Sequence, residues 1–400
     1  MRESIKTLAF VLVAACLAIL ASVVEPENAT PKLMSDQGEE FYPKFRDPQA
    51  VKTIEVIDYD ESTATARPFQ VEQQKGRWVL SSNNNYPVDI GDRLVKTAGA
   101  LMDLKKDLVK SDSVLDHAKY GVVDPLDQKA AGLTGRGKRV TLRDARKDVL
   151  ADFIMGKPVE GQAGSRYVRV PGEKRVYAVK TDADPSTKFS DWVNSGIARI
   201  PVAAIRRVSI VSYQVDEASG TLANLDQVPL THEGDAWKMA GAEQLNLPVI
   251  QTMARTLENL RIVDARPKPD ALAKSLRSGQ VEVTIESALS LRQKGFFVTP
   301  NGRLMANEGE MSVDTVNGVV YQLRFGEVAT TPGETKPSGN RYLFVTAVFD
   351  PARAAKYGGD AALGEKQARD LSTRFADWYY VISNQEFQAL RLKKKDVLKL

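Results

Sequence analysis

The chain nearly repeats a heptapeptide. Ser186-Thr187-Lys188-Phe189-Ser190-Asp191-Trp192 returns as Ser372-Thr373-Arg374-Phe375-Ala376-Asp377-Trp378, 186 positions later. Five of the seven residues are identical, and the Lys188/Arg374 and Ser190/Ala376 changes keep charge or small size. A duplicated core explains such an echo better than a single catalytic pocket does. It predicts that Trp192 and Trp378 occupy equivalent buried places.

Other landmarks recur in the same order, as an internal duplication requires. Val51-Lys52-Thr53-Ile54-Glu55-Val56 resembles Ile205-Arg206-Arg207-Val208-Ser209-Ile210 at a shift of 154. Trp78 matches Trp237 at 159, and Leu101-Met102-Asp103-Leu104 matches Leu257-Glu258-Asn259-Leu260 at 156. Gly156 pairs with Gly326 at 170, and Arg166-Tyr167-Val168 with Arg341-Tyr342-Leu343 at 175. The widening shift points to extra chain in the second copy, expected around 294–318 and 330–339.

Four hundred residues are ample for two modules with sizeable cores. A net charge of +4 is mild for this length and implies no nucleic-acid partner. The lone cysteine, Cys16, excludes an intramolecular disulfide. With His117 and His232 the only histidines, zinc sites of the usual Cys/His kind are excluded too. No cofactor or metal site is expected.

The N-terminus reads as a membrane anchor. Arg2 and Lys6 precede an uncharged run at 7–24, at the lower edge of the length that spans a bilayer as one helix. Positive charge before the run predicts a cytoplasmic N-terminus and an extracytoplasmic body, single-pass in the inner membrane. A cleaved signal peptide competes with this reading. So does a lipoprotein box at Val13-Ala14-Ala15-Cys16, although cleavage there would leave the apolar run 17–24 behind.

Residues 25–50, rich in Pro, Glu and Asp, read as a polar tether. After it, short β-branched runs are punctuated by turn signals such as Lys75-Gly76 and Pro171-Gly172. A helix is expected from about Val88, with Leu94, Ala98 and Leu101 on one stripe, and a short one ends at Tyr120. Asp184-Pro185 is expected to start a helix through Trp192. In the second copy, strands are expected at 208–213, 237–239, 281–285, 319–325 and 342–349, and helices at 248–260 and 364–382. The fold class is α+β: two tandem, duplicated modules of mostly antiparallel sheet with packed helices, after one N-terminal transmembrane helix. The expected units are an anchor at 1–24, a tether at 25–50, module one at 51–205 and module two at 206–400.

Three features resemble the bacterial family called domain of unknown function 4340. They are the Trp78 strand followed by Tyr86-Pro87 and a leucine-rich helix; Tyr120-Gly121 before Asp124-Pro125; and Ile154-Met155-Gly156-Lys157-Pro158 followed by Arg166-Tyr167-Val168-Arg169 and Val176-Tyr177-Ala178-Val179. The resemblance covers about 51–210 well and 206–400 more loosely. It implies a single N-terminal membrane helix and an envelope role, in some members beside transport and gliding-type auxiliary proteins. It brings no catalytic residues.

No motif reaches catalytic specificity. Gly132-Leu133-Thr134-Gly135-Arg136-Gly137-Lys138 satisfies a phosphate-loop pattern, but Arg139 stands where Ser or Thr would reach magnesium, and a strand follows instead of a helix. Phe189, Trp192, Phe375, Trp378, Tyr379 and Tyr380 read as core aromatics before ligand platforms. His117, near a short helix end, and His232, in a polar loop, read as solvated. Asp58, Asp60 and Glu61 lack the spacing of a calcium loop and read as a strand end. The basic tail 391–400 reads as the counterpart of the strand joining the copies, lysines outward.

The sequence therefore points to a non-enzymatic, membrane-anchored envelope protein whose modules bind another protein, as a scaffold or accessory subunit of envelope or transporter proteins. The alternative is an extracytoplasmic hydrolase with a carboxylate-based site between the modules, since carboxylates on separate strands leave no spacing signature.

Overall fold

The structure is a computed structural model that describes residues 36–89, 93–130, 132–216, 221–278, 284–299, 302–329 and 338–399. The expected anchor and the first part of the tether lie outside them. Among the described residues no helix is long and apolar enough to cross a membrane.

The first half builds β1 (Thr53–Asp60), β2 (Thr65–Gln74), β3 (Arg77–Leu80), β4 (Tyr86–Pro87), helix α1 (Arg93–Met102), β5 (Leu108–Ser111), the short α2 (His117–Tyr120), β6 (Lys138–Arg143), β7 (Val149–Pro158), β8 (Ser165–Arg169) and β9 (Val176–Lys180). The second half follows with β10 (Ile205–Asp216), β11 (Thr221–Glu233), β12 (Ala236–Lys238), α3 (Leu247–Asn259), β13 (Ile262–Pro267), α4 (Asp270–Ser278), α5 (Ile285–Arg292), β14 (Phe296–Val298) and β15 (Leu304–Ala306). It ends with β16 (Glu310–Thr315), β17 (Val319–Val328), β18 (Arg341–Phe349), α6 (Pro351–Tyr357), α7 (Ala361–Ala376), β19 (Trp378–Ile382), α8 (Asn384–Leu390) and α9 (Lys394–Val397). The fold is α+β with antiparallel ladders, as the sequence implied.

Two large sheets result. Their orders are β4-β3-β2-β1-β6-β7-β8-β9-β5 and β12-β11-β10-β16-β17-β18-β19-β13. Apart from the two-residue β4, the second order repeats the first, strand for strand. The registers agree as well. Ile54 faces Val71 and Leu142, while Val208 faces Leu230 and Val313. Gln73 faces Trp78, while His232 faces Trp237. The ladder slips between Met155 and Pro158 in β7, and again between Phe325 and Val328 in β17. Gly156 and Gly326 sit in these two bulges, the position where glycine relieves a crowded backbone. A Cβ on Gly156 would lie 2.5 Å from the Tyr120 carbonyl oxygen, and one on Gly326 would collide with the Lys294 carbonyl.

The echoing heptapeptides are not equivalent. Ser186–Trp192 follows β9, whereas Ser372–Trp378 leads from α7 into the first residue of β19, the strand that holds the place of β9 in the second sheet. The first closes on itself: the Trp192 indole N–H donates to the Ser186 carbonyl (2.9 Å), and the Ser186 hydroxyl donates to Asp191 (2.6 Å). Only a 3-10 turn, Phe189–Asp191, forms there in place of the expected helix. The second is the end of α7, where the Thr373 hydroxyl bonds the Arg369 carbonyl one turn back. Trp192 is 1% exposed, but Trp378 is only half-buried. The residues expected as one helix over 364–382 divide into α7 and β19.

Other expectations are corrected. The described part of the tether is packed, not free. Phe41 meets Phe153 and Tyr177 edge-on (5.4 and 5.2 Å), Tyr42 meets Phe153 (5.1 Å), and Phe45 is 3% exposed. Three aromatics among charges are an apolar stripe that burial selects over solvation. The extra chain of the second half lies at 270–306 and 351–376; of the expected 294–318, residues 294–306 fall within it and the rest includes the ladder strand β16, while 330–337 lies outside the described residues. Of the strand expected at 281–285, Thr284 caps α5 and Ile285 begins it, while 281–283 lies outside the described residues. The tail forms α9 and a single bridge from Leu398 to Leu245 instead of a strand.

Candidate functional site at the junction of the sheets

One contiguous apolar core runs through both sheets. Tyr86 binds them as an aromatic hinge pin, 5.1 Å from Phe189 and 4.7 Å from Trp378. Asn83 donates to the buried Asp264 (3.1 Å), whose other oxygen accepts from Arg266 (2.5 Å). The connecting segment is laced into the second half. Ile197 N–H donates to Leu260 (3.0 Å), Ile262 N–H to Ser195 (2.9 Å), and the Arg374 guanidinium to the Gly196 carbonyl (2.6 Å).

Beside this crossing opens a cleft of about 720 Å³, lined among others by Asp89, Asn194, Arg199, Glu258, Asn259 and Arg261. Residues from before the first helix, from the connection and from the end of α3 converge there. Arg199 is held in shape: its φ of 43° is unusual for a residue with a side chain, and its guanidinium donates to Asn194 (2.7 Å). Its side chain lies across Gly196, where any Cβ would collide with it. Two exposed carboxylates and two exposed guanidiniums share one opening. Such a surface offers pairing partners to a polar ligand bearing both charges, and two carboxylates are what acid–base chemistry would require. Asp89 and Glu258 carry no spacing that sequence reading could have found.

The residues weighed from sequence lie elsewhere. His117 is 7% exposed and its Nε2 meets the Lys174 carbonyl at 2.8 Å; burial holds its pKa below the usual range. His232 lies on β11, not in a loop. It is 5% exposed, stacks on Trp237 (4.3 Å) and meets the Ile205 carbonyl through Nδ1 (3.1 Å). Both histidines are therefore buried where solvation was expected. Gly135 and Gly137 serve close packing: Gly135 has φ 76°, and a Cβ there would lie 2.5 Å from the Ala118 carbonyl oxygen, while one on Gly137 would lie 2.7 Å from the Gly121 carbonyl oxygen. The Gly135 N–H donates to Glu61 (3.1 Å), so a carboxylate occupies the place a phosphate would need. Asp60 accepts from Ser62 (2.6 Å) and pairs with Arg67 (2.7 Å), closing the β1–β2 turn. Phe375, Tyr379 and Tyr380 are core residues. Among the described residues no group of three or more His, Cys, Asp or Glu is placed to hold a metal ion.

Two groups that the sequence reading passed over are lysines of the second half. Lys268 is wholly buried, donates to the Phe375 carbonyl (2.7 Å) and sits 4.0 Å from the centre of the Phe344 ring. Lys294 is half-buried and sits over the Tyr379 ring (4.8 Å). The signal for either is burial, which one sequence does not display.

The family model described as Domain of unknown function (DUF4340) matches residues 78–279. The match runs from β3 across the junction to the end of α4, so it takes in every residue of the cleft named above. No curated protein and no solved structure matches the chain.

Proposed function

Because the chain belongs to the DUF4340 family, whose description names no activity, we propose a function in binding: a membrane-anchored accessory protein of the cell envelope. Its extracytoplasmic body consists of two copies of one α+β module, at 51–205 and 206–400, and it captures a polar segment of an envelope or transporter partner in the junction cleft. The observation that carries the reading is the cleft itself, where both halves contribute charges of both signs beside a core they share. A shared core holds the opening in one geometry, so a partner's charges meet partners already in place.

The test places a photocrosslinking residue at the exposed Asn259 of the full chain in membranes of the native host. A discrete crosslinked protein is expected, and Arg199→Glu with Arg261→Glu should abolish it. A crosslink that survives both charge reversals would refute the cleft as the docking site.

The hydrolase reading keeps one observation in its favour: Asp89 and Glu258 line the same cleft. It predicts that Asp89→Asn or Glu258→Gln removes a hydrolytic activity while the Asn259 crosslink persists. Retention of that activity in both variants would dismiss it.

A further inference from the structure

The bulges of β7 and β17 hold the same kind of segment in the two halves. In each, the chain between the edge strand and the next central strand returns over the bulge and turns there. Tyr120-Gly121 rests on Gly156, and Lys294-Gly295 rests on Gly326. Gly121 and Gly295 both have positive φ, 69° and 79°. In the first half Tyr120 packs against Tyr167 at 4.6 Å, beside an apolar cluster of Val122, Ile154 and Val176. In the second half a lysine stands where Tyr120 does, and a serine lies one helical turn before it.

This turn is fixed on three sides. The Lys294 N–H donates to Leu291 (3.0 Å), its carbonyl accepts from Glu327 (3.0 Å), and the Gly295 carbonyl accepts from Asn307 (2.9 Å). Ser290, at the last turn of α5, has its Oγ 3.5 Å from Lys294 Nζ and 3.2 Å from the Tyr379 hydroxyl. Tyr379 is fully buried, and its ring is parallel to Phe296, with centroids 6.0 Å apart. Ser290 and Lys294 are half-buried. Ser290 and Lys294 therefore meet solvent on one side and the aromatic wall of Tyr379 on the other.

We propose that Ser290 is a nucleophile for acyl transfer, with Lys294 as its base and Tyr379 as a positioning residue, acting on a carboxylic ester. This goes beyond the binding reading and concerns a site outside the junction. A serine hydroxyl is a weak nucleophile until a neighbouring base takes its proton. An amine serves if it is neutral. Burial disfavours the Lys294 ammonium, and the positive charge of Arg266 adds to this, so its pKa lies below that of an ordinary lysine. Burial pushes the Tyr379 phenol up to about 12, so it keeps its proton and can donate it to Ser290 Oγ, 3.2 Å away. With Tyr379 as donor and Lys294 neutral, the serine's own proton is free to pass to Lys294 Nζ, 3.5 Å away.

In the first step Ser290 Oγ attacks the ester carbonyl carbon, and its proton passes to Lys294 Nζ. The tetrahedral adduct collapses, the bond to the alkoxy oxygen breaks, and the Lys294 ammonium returns the proton to the departing alcohol. Water then attacks the acyl-serine, giving its proton to Lys294, which hands it back to Ser290 Oγ as the carboxylic acid leaves. Atoms balance with water as the only co-reactant.

The full chain is treated with a fluorophosphonate and, separately, with p-nitrophenyl acetate, and adducts are located by peptide mass spectrometry. Ser290 should be modified roughly a hundredfold faster than the exposed Ser62 and Ser82, the usual scale of general-base assistance. Its rate should rise with pH as Lys294 loses its proton. Ser290→Ala should lose the adduct. Lys294→Arg, permanently cationic, should fall to the rate of an ordinary serine with an unchanged melting temperature. Tyr379→Phe should still label at Ser290, but more slowly and with a shifted pH profile, which a purely structural tyrosine would not cause. Labelling of Ser290 no faster than Ser62 and Ser82, or unimpaired labelling in Lys294→Arg, overturns the proposal.

Discussion

Lys268→Met tests the energetics of the second half directly. Lys268 is 4% exposed, and burial pushes its pKa down from 10.5 to about 7, against the weaker pull of Asp377. The sign follows from linkage. Between about pH 7 and 10.5 the unfolded chain holds a proton on Lys268 that the folded chain has shed, so stability rises with pH through that window. The whole span is about 5 kcal/mol, at about 1.4 kcal/mol per unit. Between pH 7 and 9 alone it is about 2 kcal/mol. Methionine cannot titrate, so the variant should lose this slope. It also removes the donor to the Phe375 carbonyl, which costs about 1–3 kcal/mol. The variant should therefore be the more stable protein at pH 7 and about equal to the parent at pH 9. Since one core runs through both sheets, denaturant unfolding should report on the body as a unit. Urea titrations of both proteins at half-unit steps from pH 6 to 10 measure the difference. Equal slopes between pH 7 and 9 would mean that Lys268 stays charged in the folded state, held by Phe344 and Asp377, and the reasoning fails.

Trp192→Ala should cost about 3–5 kcal/mol by urea unfolding, while Trp378→Phe, at a half-buried strand start, should cost under about 1.5 kcal/mol. Phe45→Ala should also cost about 3–5 kcal/mol and should open 36–50 to proteolysis in the native state; a true tether would be cleaved equally in both proteins. Protease added to spheroplasts should digest the body after about residue 35, and full protection would refute an extracytoplasmic body.

What was legible in the sequence was the ladder. A strand that faces the same core on two sheets must repeat its alternation, so Ile54 and Val56 were matched to Val208 and Ile210, and the structure seats them opposite like partners. The bulge glycines were legible for a similar reason, since only the absence of Cβ admits a carbonyl there. The heptapeptide misled because its identity is local. Ser, Thr and Asp near an aromatic can close a loop or end a helix, and the neighbouring chain decides which. The tether misled because charge count outweighed Phe41, Tyr42 and Phe45, three side chains that a sheet face was waiting to cover. The junction cleft left no trace at all. Its residues come from three separated segments and carry no shared period. The Ser290 to Lys294 spacing was in plain view as one helical turn, but it gains meaning only from Tyr379, 89 positions away, and from burial.

The two bulges explain where chemistry can be added to such a body. The central strands β6–β9 and β16–β19 are constrained on every side by ladder and core, so substitution there is costly. The segment that returns over the bulge is held by its carbonyl and by one glycine, a fastening that reads backbone and ignores side chains. In the first half this fastening holds a four-residue helix and a tyrosine. In the second it holds α4, α5 and the β14–β15 hairpin, and with them Ser290 and Lys294. The same socket therefore accepts a much longer insert without disturbing register. Gly326→Ala tests whether the socket is what aligns the pair. The added methyl collides with the Lys294 carbonyl, and relief by backbone shift should cost about 1–3 kcal/mol. A displacement on the order of 1 Å at the turn should cut Ser290 labelling about a hundredfold. Gly156→Ala, the same change in the first half, should lower stability by a similar amount and leave labelling untouched. If both variants labelled alike, alignment of Ser290 and Lys294 would owe nothing to the bulge.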